Sequence, residues 1–99
     1  MTVVVGTARV VLHIPASQSL KDKRQVVRSL VALAQRQFQI SVAEVDDLDR
    51  WQLATLGLAC VANDPRHADE VISRALGFIS TRRIDVDVVE VQTELLHVY

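Results

Sequence analysis

Ninety-nine residues, 49% of them hydrophobic and only 4% aromatic, suffice for one domain around one aliphatic core and are too few for two. A formal net charge of −1 excludes a general nucleic-acid coat, so any RNA contact has to come from a local patch. Cys60 is the single cysteine, which leaves no intramolecular disulfide and fits a reducing compartment, hence the expectation of a cytoplasmic protein.

The chain starts MTVVVGTARVVLHIP. This stretch lacks a basic n-region and alternates as a strand does, so neither a signal peptide nor a membrane span is expected. Val3 to Ile14 reads as the first strand. Val4, Gly6, Ala8, Val10, Leu12 and Ile14 fall on one face, and Val3, Val5, Thr7, Arg9, Val11 and His13 on the other, which is apolar for a face open to water. Pro15 ends the strand.

Ser19 to Phe38 then has helical periodicity: Leu20, Val27, Leu30, Val31, Ala34 and Phe38 form one stripe, widened by Val26 and Leu33. Ser19 is placed as N-cap and Asp22 as its capping-box acid. Lys21, Arg24, Gln25, Arg28, Gln35 and Arg36 gather on the opposite side. Lys23 falls near the apolar edge, where its stem is expected along the core with the ammonium reaching out to water. Such a face is either solvated, which is the ordinary state of charged helix faces, or a surface for an anionic partner.

Gln39 to Val45 is the second strand, and the acidic loop Asp46, Asp47, Leu48, Asp49, Arg50 leads to a third over Trp51 to Ala62, as a hairpin. Gly57 within that strand implies a bulge or a close neighbour. Asn63-Asp64-Pro65 starts the second helix, with Asp64 as N-cap and Pro65 at the first helical position; its buried stripe is Ala68, Val71, Ile72, Ala75, Leu76 and Ile79, ending near Ser80. The last strand runs from about Ile84 to Val98, and its apolar phase flips at Val88-Val89, which predicts a β-bulge. The order is βαββαβ with both helices on one sheet face, a ferredoxin-like α+β sandwich with a four-stranded antiparallel sheet. An open α/β layer is the rival, disfavoured because the hairpin breaks strict βα alternation.

SLKDKR at 19–24, SVAEV at 41–45, WQLATLGLACV at 51–61 and ND at 63–64 before a helix together resemble the YlxP family of small bacterial proteins, over nearly the whole chain and in order. The resemblance implies a ferredoxin-like fold. It also implies a gene neighbourhood of transcription-elongation, translation-initiation and ribosome-maturation genes, and with it a ribosome-associated role. It supplies no catalytic residue. The loop Asp47-Leu48-Asp49-Arg50 departs from the family pattern, in which polar residues, sometimes a His, precede the Trp.

The chemistry-bearing residues are scattered. Asp46, Asp47 and Asp49 lack the ligand count and the glycine of a Ca²⁺ loop. His13, His67 and His97 form no zinc-binding spacing, and no glycine-rich phosphate loop occurs. Neither a metal nor a cofactor is therefore expected, and an enzyme reading has no positive support. The aromatic pairs of an RNA-recognition motif are absent from the first and third strands. An acylphosphatase loop is absent too, its place reading IPASQS. The function expected is that of a non-catalytic accessory protein on a ribosomal subunit or RNA, through Lys21, Lys23, Arg24, Arg28 and Arg36. The alternative is an interaction or small-ligand module that dimerises through the open sheet face (Val3, Val5, Val11, Leu53, Ala59, Val61) or the last strand. Trp51, beside Gln52, is either packed at the hairpin base or a partner anchor.

Overall fold

The computed structural model describes residues 1–99 and contains β1 (Val4–His13), α1 (Leu20–Phe38), β2 (Ser41–Asp46), β3 (Leu53–Ala62), α2 (Pro65–Arg82) and β4 (Asp87–His97). The strands form one antiparallel sheet in the order β2-β3-β1-β4, with β1 paired to both β3 and β4. This is the ferredoxin-like arrangement: the chain leaves β1, crosses by α1 to β2, and leaves β3 to cross by α2 to β4.

Both helices begin where local chemistry directs them. Asp22 N–H donates to Ser19 Oγ at 3.0 Å, and Asp22 Oδ2 accepts from Gln18 N–H at 3.0 Å, so the two side chains each satisfy one free amide. At α2, Arg66 N–H donates to Asp64 Oδ1 at 3.2 Å, and Pro65 takes the position where its missing N–H costs nothing. Gln39 closes α1 in the left-handed region (φ 54°) with its N–H on Gln35 O at 2.9 Å.

The core lies between the helices and the face of the sheet that carries Val10, Leu12 and Ile14 of the first strand and Ala54, Leu56 and Leu58 of β3. Leu30 and Ala34 of α1 and Ile72, Ala75 and Ile79 of α2 press onto it. Each fully buried Val, Leu or Ile contributes roughly 1.5–3 kcal/mol, so this aliphatic layer dominates stability. Phe38 and Phe78 meet edge-to-face at 5.6 Å and join the two helices.

The bulge lies where the phase flip predicts it. Val11 pairs with Glu90 and Leu12 with Val88, leaving Val89 as the extra residue. A second irregularity, between Glu44 and Asp46, lifts Val45 out of the β2 ladder, and Val45 is the close neighbour that Gly57 accommodates. Element ends move by one to three residues from their sequence-based bounds: β3 opens at Leu53 rather than Trp51, and β4 at Asp87 rather than Ile84. The open face is less bare than alternation predicts. Val11 and Thr55 are buried, Val5, Leu53 and Ala59 are half-buried, and the Arg9–Glu90 ion pair (2.9 Å) crosses it. Val61 alone of the residues expected on that face is exposed, and four further exposed apolar side chains, Val89, Val91, Leu95 and Leu96, lie along β4.

Candidate anionic-partner surface

The outer side of α1 is built by the period that builds the core. At 3.6 residues per turn, Lys21, Arg24, Arg28 and Arg36 share an arc of roughly 120° opposite Leu30. All four are exposed. The ion pairs of the chain are Arg9–Glu90, Lys23–Glu44 and Arg83–Asp85, so none of the four is neutralised within the fold. Asp22, the acid of this helix, is turned to Gln18 as a cap.

Charge is unevenly divided between the helices and the rest of the chain. Eight of the eleven Lys and Arg residues but only three of the twelve Asp and Glu residues lie in α1 and α2. The helices therefore carry +5 and the remainder of the chain −6. A net charge near zero conceals two positive helices beside an acidic remainder.

Lys23 does not belong to this surface. Its side chain is fully buried, and Nζ donates to Glu44 Oε2 (2.9 Å), Asp47 O (2.8 Å) and Leu48 O (3.2 Å). Every ammonium proton has an acceptor, so none is left for a partner. The expectation that this ammonium reaches water fails because Glu44 faces the helices from β2 and the hairpin carbonyls close over it. Asp47, at φ 59°, bends the chain to deliver its carbonyl there while its Oδ2 accepts from Thr55 Oγ1 at 2.7 Å.

Trp51 and Gln52 separate into different roles. Trp51 is 55% exposed and flanks a hollow of about 440 Å³ lined with His13, Arg50, Gln52 and Leu53. Gln52 is occupied: Nε2 donates to Pro15 O (3.0 Å) and Ser17 O (3.1 Å), tying the start of β3 to the β1–α1 loop. Its amide is a clamp and not a contact for a partner. The largest hollow, about 960 Å³, runs along β2 and the middle of the sheet and includes none of the four basic residues of α1. Arg50 supports the hairpin through its backbone N–H, which donates to Asp47 O at 3.0 Å.

The residues that carry acid–base chemistry stay apart. No group of three or more His, Cys, Asp or Glu converges to hold a metal ion. Burial pushes the Cys60 thiol above its ordinary range, away from the thiolate a nucleophile needs. The hydrogen bond from Arg83 holds Asp85 below the usual carboxylate range, at a partly exposed bend before β4. No helix is long and apolar enough to cross a membrane.

The fold and this surface define a ferredoxin-like α+β domain with a basic helical side. A family model described as "Protein of unknown function (DUF503)" matches residues 5–93, and the chain belongs to that family. It is 30% identical over 77 residues, 78% of this chain and 84% of the relative, to the uncharacterized protein YlxP of Bacillus subtilis (strain 168). The resemblance carried by residues 19–24, 41–45 and 51–64 is thereby established.

Proposed function

We propose that this chain is a non-catalytic accessory protein of the cytoplasm that docks on RNA, in the setting of a ribosomal subunit, through the outer face of α1. The observation that carries the reading is the set of four exposed cations, Lys21, Arg24, Arg28 and Arg36, on one helix face without an intramolecular acid. Isolated exposed cations contribute little to folding, so their concentration on one face is better matched to a polyanion than to stability. Contacts of this kind go to phosphates; they position the protein and read no sequence.

Co-sedimentation with purified ribosomal subunits at low and high salt, alongside a mobility shift with unstructured RNA, tests it. Binding at low salt that is lost in the double reversal Arg24→Glu, Arg28→Glu supports the reading. Equal association of wild type and double variant with ribosomal particles and RNA would show that the face is merely solvated.

A further inference from the structure

We propose that β4 is the interface between two copies of this chain, paired antiparallel about a two-fold axis at Thr93 into a continuous eight-stranded sheet. The two edges of the sheet differ in kind. β2 is six residues long and interrupted at Val45, as protected edges are. β4 is eleven residues long, contains neither Pro nor Lys, is exposed almost throughout, and beyond its bulge at Val89 pairs without interruption from Glu90 to His97.

The ladder shows which of its backbone groups are free. Ile14 N–H bonds Gln52 O and Val98 N–H bonds Val3 O, so the even-numbered residues of the first strand turn their backbone to β3 and the odd-numbered ones to β4. The amides of Glu90, Gln92, Glu94 and Leu96 are thus taken up by β1. Those of Val91, Thr93, Leu95 and His97 point outward along an unpaired edge. Val91 (44% exposed) and Leu95 (39% exposed) place apolar side chains on the helical side of this edge.

The charge pattern and the Val89 bulge together select the register, since centring the axis on Val91 leaves only Glu90 to Gln92 between the bulges of the two copies. Centring the axis on Gln92 sets Glu90 opposite the partner's Glu94, and centring it on Glu94 sets that residue opposite itself, both unfavourable. Centring it on Leu95 runs the ladder past His97, the end of the strand. Centring it on Thr93 sets Val91 opposite the partner's Leu95 and Thr93 opposite the partner's Thr93 on the helical side. On the other side, the Gln92 amide meets the partner's Glu94 carboxylate, twice by symmetry. Leu95 also borders a groove of about 250 Å³ between β4 and α2, beside which the partner's Val91 would lie. The basic helix α1 packs over β2 and β3, so this interface leaves it free.

Light scattering is expected to give twice the 11.0 kDa protomer mass. Hydrogen exchange of the wild type is expected to show protection of Val91, Thr93, Leu95 and His97 that rises with protein concentration, beside constant protection of Glu90, Gln92, Glu94 and Leu96. Gln92→Glu, on the exposed face, should raise the dissociation constant roughly two- to thirty-fold by creating two like-charge pairs, and Gln92→Lys should lower it. A monomer mass at high micromolar concentration overturns the proposal. So does a dimer in which the four outward amides exchange freely, or one indifferent to charge at Gln92.

Discussion

Lys23 Nζ lies 2.9 Å from Glu44 Oε2, with the lysine side chain fully buried and that of the glutamate 15% exposed. The contact joins the first turn of α1 to β2 across 21 residues of sequence. Two carbonyls of the β2–β3 hairpin complete the ammonium's coordination. One charge thereby fixes three things at once: how α1 sits on the sheet edge, where the hairpin folds back, and which basic residues of the helix stay free for a partner.

Removing one side of that network should be costly. Lys23→Ala leaves a largely buried carboxylate and the Leu48 carbonyl without a donor, while Asp47 O keeps the Arg50 N–H, and uncompensated buried charges of this type cost about 3–5 kcal/mol. Glu44→Gln keeps an acceptor at the same place but removes the countercharge of a fully buried ammonium, so it should also be costly, about 2–4 kcal/mol. Urea unfolding midpoints check both. Equal, small losses would mean that the network is solvated in solution.

The sequence reached the fold because its signals are local and agree with one another: two helical stripes, two N-caps, a Pro at the start of α2, and alternation in β1 and β3. Even the Val89 bulge was visible as a phase change. Lys23 was misjudged because periodicity places a residue at the edge of a stripe without saying what awaits it. A signal was present: Val42 and Glu44 lie two apart on β2 and so share a face, and Val42 is core, so Glu44 had to point inward toward some cation. The clamp made by Gln52 is not legible in the sequence, because its acceptors, Pro15 O and Ser17 O, are backbone atoms of a distant loop with no side-chain signature.

The RNA reading predicts a specific salt dependence. With Lys23 internal, α1 offers Lys21, Arg24, Arg28 and the more distant Arg36, for about three to four phosphates. On single-stranded RNA, log K should fall against log salt with a slope of roughly −2 to −3. The reversal Arg24→Glu, Arg28→Glu should flatten that slope while changing unfolding free energy by only about 0.5 kcal/mol or less per site, since both residues are exposed and unpaired. A slope near zero with undiminished binding would exclude phosphate as the contact.

Two glycines should respond differently to the same methyl group. A Cβ at Gly6 would meet Ala68 O at 3.2 Å, Ala68 Cβ at 3.3 Å and Ile72 Cγ1 at 3.1 Å, where α2 comes down on β1. The helix backbone cannot step aside alone, so Gly6→Ala should cost about 1–3 kcal/mol. A Cβ at Gly57 would meet only Val45, whose Cγ1 is 3.1 Å away on a side chain that is 55% exposed and free to turn outward. Gly57→Ala should therefore be close to neutral, with relief of glycine's entropy offsetting the contact. Thermal unfolding of the two variants side by side checks the order; Gly57→Ala as the more damaging change would contradict the packing described.

Cys60 supplies the pH dependence. Its thiol lies in the core layer of β3, 8% exposed, and burial raises its pKa because the thiolate would lose its hydration. The folded pKa is the higher one, so over the interval above the unfolded value of about 8.5 the unfolded chain holds fewer protons than the folded one. Stability is thus unaffected by this group below about pH 8 and declines as pH rises through the interval between the two values. The same burial should make alkylation of the native protein at pH 8 slow and limited by opening of the sheet, and fast in denaturant. Cys60→Ala should remove the alkaline decline attributable to the thiol while costing the packing of one sulfur, about 1 kcal/mol. Rapid native-state alkylation, at the rate of a free thiol, would contradict the buried placement of Cys60 in the core layer.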